Sequence, residues 1–205
     1  MRAPVSAELK SMFGEIDIYL FDQLLRGRFD QRRRVCDAGC GHGRNLPFFL
    51  QRGFDVRVAD TDPDAIDAVR HLATALNATI PADHAYCGSL DSLPWADASV
   101  DAIICSAVLH FARDERHFAA MLEEVWRVLA PGGLLFARLA TSIGIERHLT
   151  ATSGHVRLPD GSQRFVVDER ILLQWTDAHG AALLDPIKTT NVQNQRSMTT
   201  WVLEK

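Results

Sequence analysis

The residues whose types and spacing carry the most chemistry are Asp37, Gly39, Gly41 and Gly43, set in Val35-Cys36-Asp37-Ala38-Gly39-Cys40-Gly41-His42-Gly43-Arg44-Asn45. Glycine at every second position lets a backbone take positive φ and approach a bound molecule without Cβ clashes. The carboxylate of Asp37, just ahead of them, suits a ligand bearing an ammonium group. It does not suit a pyrophosphate, which prefers an uncrowded positive helix end. A dinucleotide fingerprint needs G-x-G-x-x-G, and Arg44 stands where its third glycine should be, so a nicotinamide cofactor is disfavoured. A second acid, Asp60, closes the alternating run Phe54 to Asp60 about 20 residues further on, where adenosine-binding α/β folds place the carboxylate that accepts hydrogen bonds from ribose hydroxyls. Asp37 and Asp60 are therefore expected to face one cavity that holds a nucleoside amino acid.

The elements that must position these residues are legible around them. Val35 and Cys36 open a strand, and Asn45 to Leu50 resumes a helical apolar period. Asp62 as N-cap, Pro63 at the first helical position and Asp64 in the first turn start a helix that runs through Ala65 to Leu76. A third strand lies near Asp83 to Cys87. Ser99 to Ser106 is continuously apolar enough to be a strand buried on both faces. Phe118 to Leu129 is an amphipathic helix, and Ala130-Pro131-Gly132-Gly133 turns into a fifth strand, Leu134 to Leu139. Ahead of all this, Pro4 to Phe29 has helical spacing, with Gly14 as a break and Gly27 as the stop. That segment packs on the sheet edge or covers the ligand corner, and in the second case Asp17 and Tyr19 are candidate contacts. Arg32-Arg33-Arg34 falls at the sheet end away from the site and reads as a solvated face. Beyond Ala140, His155 to Phe165 looks like two strands around a Pro-Asp-Gly turn. A helix then follows from Asp168 to about His179, and two strands lie near Leu183 to Val192 and Ser197 to Leu203. The alternation argues for right-handed βαβ crossovers and one α/β domain spanning residues 1–205. It divides into an N-terminal helical segment (1–30), a ligand-binding core (34–140) and a substrate-side remainder (141–205).

Composition narrows the function. A net charge of −4 and a pI near 6.0 give no global basic footprint for a phosphate backbone, so nucleic acid is not the expected partner. No apolar run reaches the roughly 20 residues of a membrane span, and Met1-Arg2-Ala3-Pro4 opens no signal-peptide core. No membrane partner and a cytoplasmic setting are expected, with the protein a monomer or homodimer. Cys36, Cys40, Cys87 and Cys105 form no CxxC pair and no His/Cys ligand spacing, so they read as reduced packing thiols and no metal site is expected.

The stretch Asp37 to Gly43 resembles motif I of the class I methyltransferases that use S-adenosylmethionine. Gly88-Ser89-Leu90-Asp91-Ser92-Leu93-Pro94-Trp95 is similar to that family's adenine segment, and Ser106-Ala107-Val108-Leu109-His110-Phe111 resembles its motif after strand four. The Leu129-Ala130-Pro131-Gly132-Gly133 turn is similar to another of its signature pieces. The resemblance implies a Rossmann-like α/β/α sandwich with a seven-stranded, mostly parallel sheet in the order 3-2-1-4-5-7-6, strand seven antiparallel. It implies S-adenosyl-L-methionine as cofactor, with Asp37, Gly39, Cys40, Gly41, Asn45, Asp60, Thr61, Ser89, Leu90 and Ser106 around it. Thr61 and Ser89 replace residues usual there, an apolar residue and an aspartate.

The implied sheet order also puts the start of the last strand beside the end of strand five. Asn191, Gln193, Asn194, Gln195 and Arg196 then border the cleft next to Arg138. His110, Arg138 and Arg196 are the catalytic candidates. The two arginines would place an anionic or soft small-molecule acceptor for in-line transfer without a base. A hydroxyl or amine acceptor would need His110 or His155 as the base. The short chain is similar to small-molecule members such as the tellurite-resistance and thiol-directed enzymes. The competing reading is a sensor that binds S-adenosylmethionine or its demethylated product without chemistry.

Overall fold

In the computed structural model, which describes residues 4–205, the first strand, β1 (Arg34–Ala38), lies inside an eight-stranded sheet. It pairs in parallel with β2 (Asp55–Asp60) on one side and β4 (Val100–Ser106) on the other. Outside β2 lies β3 (Ala85–Cys87), and outside β4 lies β5 (Leu129–Ala140), both parallel to their neighbours. A long last strand, β10 (Arg196–Glu204), closes that side antiparallel to β5 and carries two short strands, β8 (Ala182–Leu183) and β9 (Lys188–Val192). Two more strands, β6 (Gly154–Arg157) and β7 (Gln163–Val166), form a separate hairpin around the expected Pro-Asp-Gly turn.

Strand residues alternate between two cores, so neighbouring residues on a buried strand serve opposite layers. Ile103, Leu135, Trp201 and Leu203 pack against α5 (Glu115–Val128) and α6 (Glu169–Ala178) through Leu122, Val125, Trp126 and Leu172. Ile104, Phe136 and Val202 face the other way, toward α2 (Ile18–Leu25), α3 (Pro47–Gln51) and α4 (Pro63–Ala75), through Leu20, Phe49, Ile66 and Val69. Coverage on both faces explains why these strands read as continuous apolar runs rather than alternating ones. Four helices begin at an aspartate whose side chain accepts from a first-turn amide, at Asp17, Asp62, Asp114 and Asp168.

Several sequence expectations change. The seven strands become eight, because the stretch from Leu183 to Val192 is interrupted at Asp185-Pro186: proline offers no N–H to a ladder, and the Asp185 side chain turns inward to accept from Gln23 Nε2 at 2.9 Å. The turn at Ala130 to Gly133 is absorbed into β5 as an irregularity between the pairs Val100–Leu129 and Ala102–Leu134, with Gly132 at φ +72°. The arginine run is paired rather than simply solvated: Arg32 bridges to Glu204 at 2.7 Å and Arg34 donates to Asp101. The N-terminal segment forms two helices split at Gly14 (φ +63°), where a Cβ would meet Pro47 Cγ at 2.7 Å. The first, α1 (Val5–Phe13), buries no residue and leans on α3 through the stacked Phe13–Phe48 pair. Residues 1–3 of that segment lie outside the described residues. The described residues contain no helix long and apolar enough to cross a membrane.

Trp201 is fully buried between the sheet and α6, and its indole N–H donates to Thr176 Oγ1 at 3.2 Å. Trp201→Ala is expected to cost about 3–5 kcal/mol of unfolding free energy in urea titrations, and a loss under ~1 kcal/mol would contradict this packing.

Candidate active site

The candidate site gathers at the C-terminal ends of β1, β2, β4 and β5, where a doubly wound sheet opens a crevice, with further residues brought to it by α2, β7 and the start of β10. The glycine loop leaves β1 and is pinned underneath by its neighbour, with the Gly39 and Cys40 amides donating to Ala59 O at 2.7 and 3.1 Å. Gly39 has φ +83°, and a Cβ there would fall 2.2 Å from Val108 Cγ2, so only glycine lets β4's exit loop close on this turn. Gly41 (φ +48°) has nothing within 4 Å of where a Cβ would be. Its bare backbone borders open space, and its amide donates to Asp60 Oδ2 at 2.8 Å. Asp60 Oδ1 accepts from the Asp62 amide at 3.1 Å. One carboxylate thus fixes the loop and the start of α4 together.

Two cavities meet at this loop. The smaller, ≈ 430 Å³, is walled by Gly39, Gly41, Asp60, Thr61, Ser89 and Leu90, with Val108, Phe111, His117 and Met121 completing it. The larger, ≈ 660 Å³, takes in Cys40, Asn45, Ser106, His110, Arg138 and Arg196, with Arg44, Asp160 and Arg164 among its other walls. Gly39, Gly41, Ala107 and Phe111 border both. Ala107 itself has φ +67°, a left-handed conformation that is uncommon outside glycine and marks the seam between the cavities.

Of the residues expected around the cofactor and the three catalytic candidates, all but one line these cavities, whereas the candidate contacts Asp17 and Tyr19 of the N-terminal segment stand behind the wall. The exception is Asp37, 1% exposed beneath the loop and absent from both walls, with neither carboxylate oxygen hydrogen-bonded. Burial pushes its carboxyl up to about 8, the charge of Arg44 pulling down and that of Asp60 pushing further up. His155 is also outside the cavities: its ring meets Arg113 O at 2.6 Å. Of the turn before β10, Arg196 reaches the larger cavity, whereas Asn191 and Asn194 bond to each other at 2.7 Å and Gln193 and Gln195 lie off its wall.

The larger cavity is strongly charged. Asp17, 4% exposed, accepts with Oδ2 from Ser106 Oγ at 3.0 Å, Arg138 at 3.2 Å and Arg44 at 3.4 Å, while Oδ1 caps α2. Asn45 Oδ1 holds the Asp17 amide at 3.0 Å. Tyr19 lies under the Arg138 guanidinium, 5.0 Å from its ring centroid. His110 sits in the turn after β4, 5% exposed, with Nδ1 accepting from the Ala140 amide at 3.1 Å. Burial, with the nearby charges of Arg164 and Arg138, lowers it to about 4, so the ring is neutral near pH 7 and its hydrogen lies on Nε2. The sequence reading had not marked Arg44, Arg164, Asp160, Phe111 and His117 as site residues. Arg44 carried the one available signal, its place in the glycine motif.

The two buried titratable groups pull stability in opposite directions. Asp37 has a folded pKa above its unfolded one, so its contribution is full below about pH 4 and is lost as pH rises toward 8. His110 has a folded pKa below its unfolded one, so its contribution is present above about pH 6.5 and is lost as pH falls toward 4. Between about pH 6.5 and 8 only the Asp37 effect acts, and Asp37→Asn should flatten a decline of about 1.4 kcal/mol per pH unit. Urea unfolding at three pH values across that window measures it. An unchanged slope in the variant would assign the decline elsewhere.

The sequence family described as methyltransferase domain matches residues 36–137, the part that builds β1 through β5. The tRNA 5-carboxymethoxyuridine methyltransferase of Escherichia coli (strain K12) is 30% identical over 127 residues, 62% of this chain and 48% of that protein. A thiol S-methyltransferase of Mus musculus is 35% identical over 105 residues, 50% of this chain and 40% of that one. The chain thus spans about half the length of the curated relatives it matches. Among solved structures, a Burkholderia thailandensis 1,6-didemethyltoxoflavin-N1-methyltransferase with bound S-adenosylhomocysteine superposes with a TM-score of 0.67 at 17% identity, covering 100% of this chain and 93% of that one. With the glycine loop, the acid at the tip of β2 and the sheet order all in place, the chain belongs to the class I S-adenosylmethionine-dependent methyltransferases.

Proposed function

We propose that this protein transfers a methyl group from S-adenosylmethionine to a small anionic acceptor held in the larger cavity. The observation that carries this reading is the junction of the two cavities at Gly39, Gly41, Ala107 and Phe111, one with a nucleoside's lining and the other basic. The cofactor fits the residues present. Asp60 keeps carboxylate lone pairs toward the smaller cavity, where ribose hydroxyls would donate. Leu90, Val108 and Met121 offer apolar walls for an adenine, with Ser89 and His117 (Oγ to Nε2, 3.5 Å) as its polar edge. A positive charge bound above the loop would draw the buried Asp37 carboxyl, which has no hydrogen-bond partner among the described residues, toward its ionised form. When bound, the cofactor supplies a methyl group on a sulfonium that leaves as a neutral thioether.

The chain's own contribution is placement. Arg138 and Arg196, with Arg164 on the same cavity, hold an anionic acceptor near the seam, Nε2–H of His110 donates to it, and the walls exclude water, so that orientation supplies most of the rate. His110 is a donor in this arrangement and not a base, since Nδ1 is already engaged by a backbone amide. The mouse relative is named for thiols and the Escherichia coli relative for a tRNA base. The net charge of −4 favours the small acceptor over the tRNA.

Calorimetry with S-adenosylhomocysteine tests the reading. Wild-type protein is expected to bind, and Asp60→Ala to lose about 10- to 100-fold in affinity, the worth of hydrogen bonds to a charged group. No binding by the wild type at millimolar ligand would sink it. Methyl transfer to tRNA alone in an acceptor panel would overturn the small-molecule part.

A further inference from the structure

The walls of the larger cavity also bear on the atom that receives the methyl group, an inference that rests on the methyl-transfer reading. None of its best-placed titratable groups is set up to take a proton. His110 is buried and neutral, with Nδ1 occupied by the Ala140 amide. The Cys40 thiol is pushed far up by burial, with the charges of Asp37 and Asp60 adding to the effect, and stays protonated. Asp160 accepts from the Ser162 hydroxyl and amide at 2.6 and 2.9 Å, which hold it below the usual carboxylate range, with help from Arg196 and Arg164. Glu15 stands at the rim in an exposed pair with Lys10 at 3.4 Å. His42, on the loop edge, is the one imidazole left.

Cations, by contrast, are abundant. Arg44 and Arg138 share Asp17. Among the described residues, Arg164 and Arg196 have no carboxylate within ion-pairing distance, although both face the cavity. They come from different segments, β7 and the start of β10. The turn of the hairpin is clasped to the turn before β10 by the Asp160 amide donating to Gln195 O at 3.2 Å. The Arg164 guanidinium lies 4.9 Å from the ring centroid of Phe111, itself 60% exposed at the seam, and Nη1 donates to Gln163 O at 2.6 Å. Its guanidinium is therefore held beside Phe111, where the two cavities meet, with Nη1 tied to the backbone and Nη2 and Nε left to face the acceptor.

We propose that the acceptor is a carboxylate, docked by Arg164 and Arg196 and methylated on oxygen without a general base. A guanidinium presents paired N–H donors whose spacing matches the two oxygens of a carboxylate, a match that a thiolate or an amine does not offer. In the transfer, a carboxylate oxygen lone pair forms the new O–CH3 bond while the CH3–S bond breaks, and that bond's electron pair stays on sulfur. An anion and a sulfonium become a neutral methyl ester and a neutral thioether, and no proton is released. A thiol, phenol or amine would have to shed a proton on the way, into a wall with little to receive it.

The test uses the whole chain with S-adenosylhomocysteine present and titrates benzoate, phenylacetate and succinate against their uncharged amides. Carboxylates should bind and amides should not, and Arg164→Gln or Arg196→Gln should each weaken carboxylate binding by about tenfold or more. Affinity for S-adenosylhomocysteine, read on each variant, reports that the fold persists. In weakly buffered turnover assays with S-adenosylmethionine, an indicator dye should register no proton per methyl transferred, and the product should release methanol on alkaline hydrolysis. Equal binding of amides and carboxylates, or one proton released per turnover with activity lost in His42→Gln, would overturn the carboxylate assignment while leaving methyl transfer intact. Failure of the wild type to bind S-adenosylhomocysteine would remove both.

Discussion

A single buried carboxylate holds the acceptor end of this molecule in register. Asp17 caps α2 with one oxygen and uses the other to gather Ser106 from β4, Arg138 from β5 and Arg44 from the glycine loop. Three elements of the parallel core and the N-terminal helix pair thus converge on one atom. Removing one partner from a buried ion pair typically costs about 3–5 kcal/mol because the other charge is left uncompensated. The docking of α2 and the shape of the larger cavity are therefore one equilibrium. Tyr19 strengthens the link, reaching from α2 to the Thr190 hydroxyl on β9 while lying under Arg138.

Charge is sorted by depth around the same corner. Aspartates lie under and beside the glycine loop, Asp37 buried and Asp60 at the wall, whereas the outer cavity has four arginines against Asp160 and the rim residue Glu15. A cofactor with a positive centre and an acceptor with a negative one would each meet a surface of opposite sign, and their charges would cancel at the seam. The two signs sit close enough to feel one another, as the opposed pulls of Arg44 and Asp60 on Asp37 show. Neutral His110 fits such a place, since a charged imidazole beside Arg138 and Arg164 would be disfavoured.

How much was legible in the residues depends on range. The strand and helix alternation from Arg34 to Leu139 could be read because burial on both faces leaves unbroken apolar runs, and because Asp62-Pro63-Asp64 and Asp168 announce helix starts locally. The residues that line the smaller cavity were readable because they lie in short motifs. The acceptor side was not, because it is assembled from segments far apart in the chain: Asp17 meets Ser106 across 89 positions and Arg138 across 121. Arg164 carries no local signal, because its place at the cavity depends on the hairpin folding back over Phe111. Asp37 shows the opposite failure. Its place just beneath the loop was clear, but not that its side chain would stay off the cavity walls with no hydrogen-bond partner among the described residues. The split of the stretch from Leu183 to Val192 turned on one proline, a weak local signal that the following strand spacing concealed.

The hairpin of β6 and β7 is a sheet of its own. It is attached through the isolated bridge Thr141–Val167, a small apolar cluster around Ile145, Val156 and Val166, the Asp160–Gln195 clasp, and Phe165, which is buried in the main core and stacks on Phe118 of α5. No strand of the central sheet needs it for a ladder partner. Its outer turn and its arginine can therefore be exchanged without breaking a ladder of the central sheet, whereas Phe165 ties the inner edge to α5, the helix that also walls the nucleoside end with His117 and Met121.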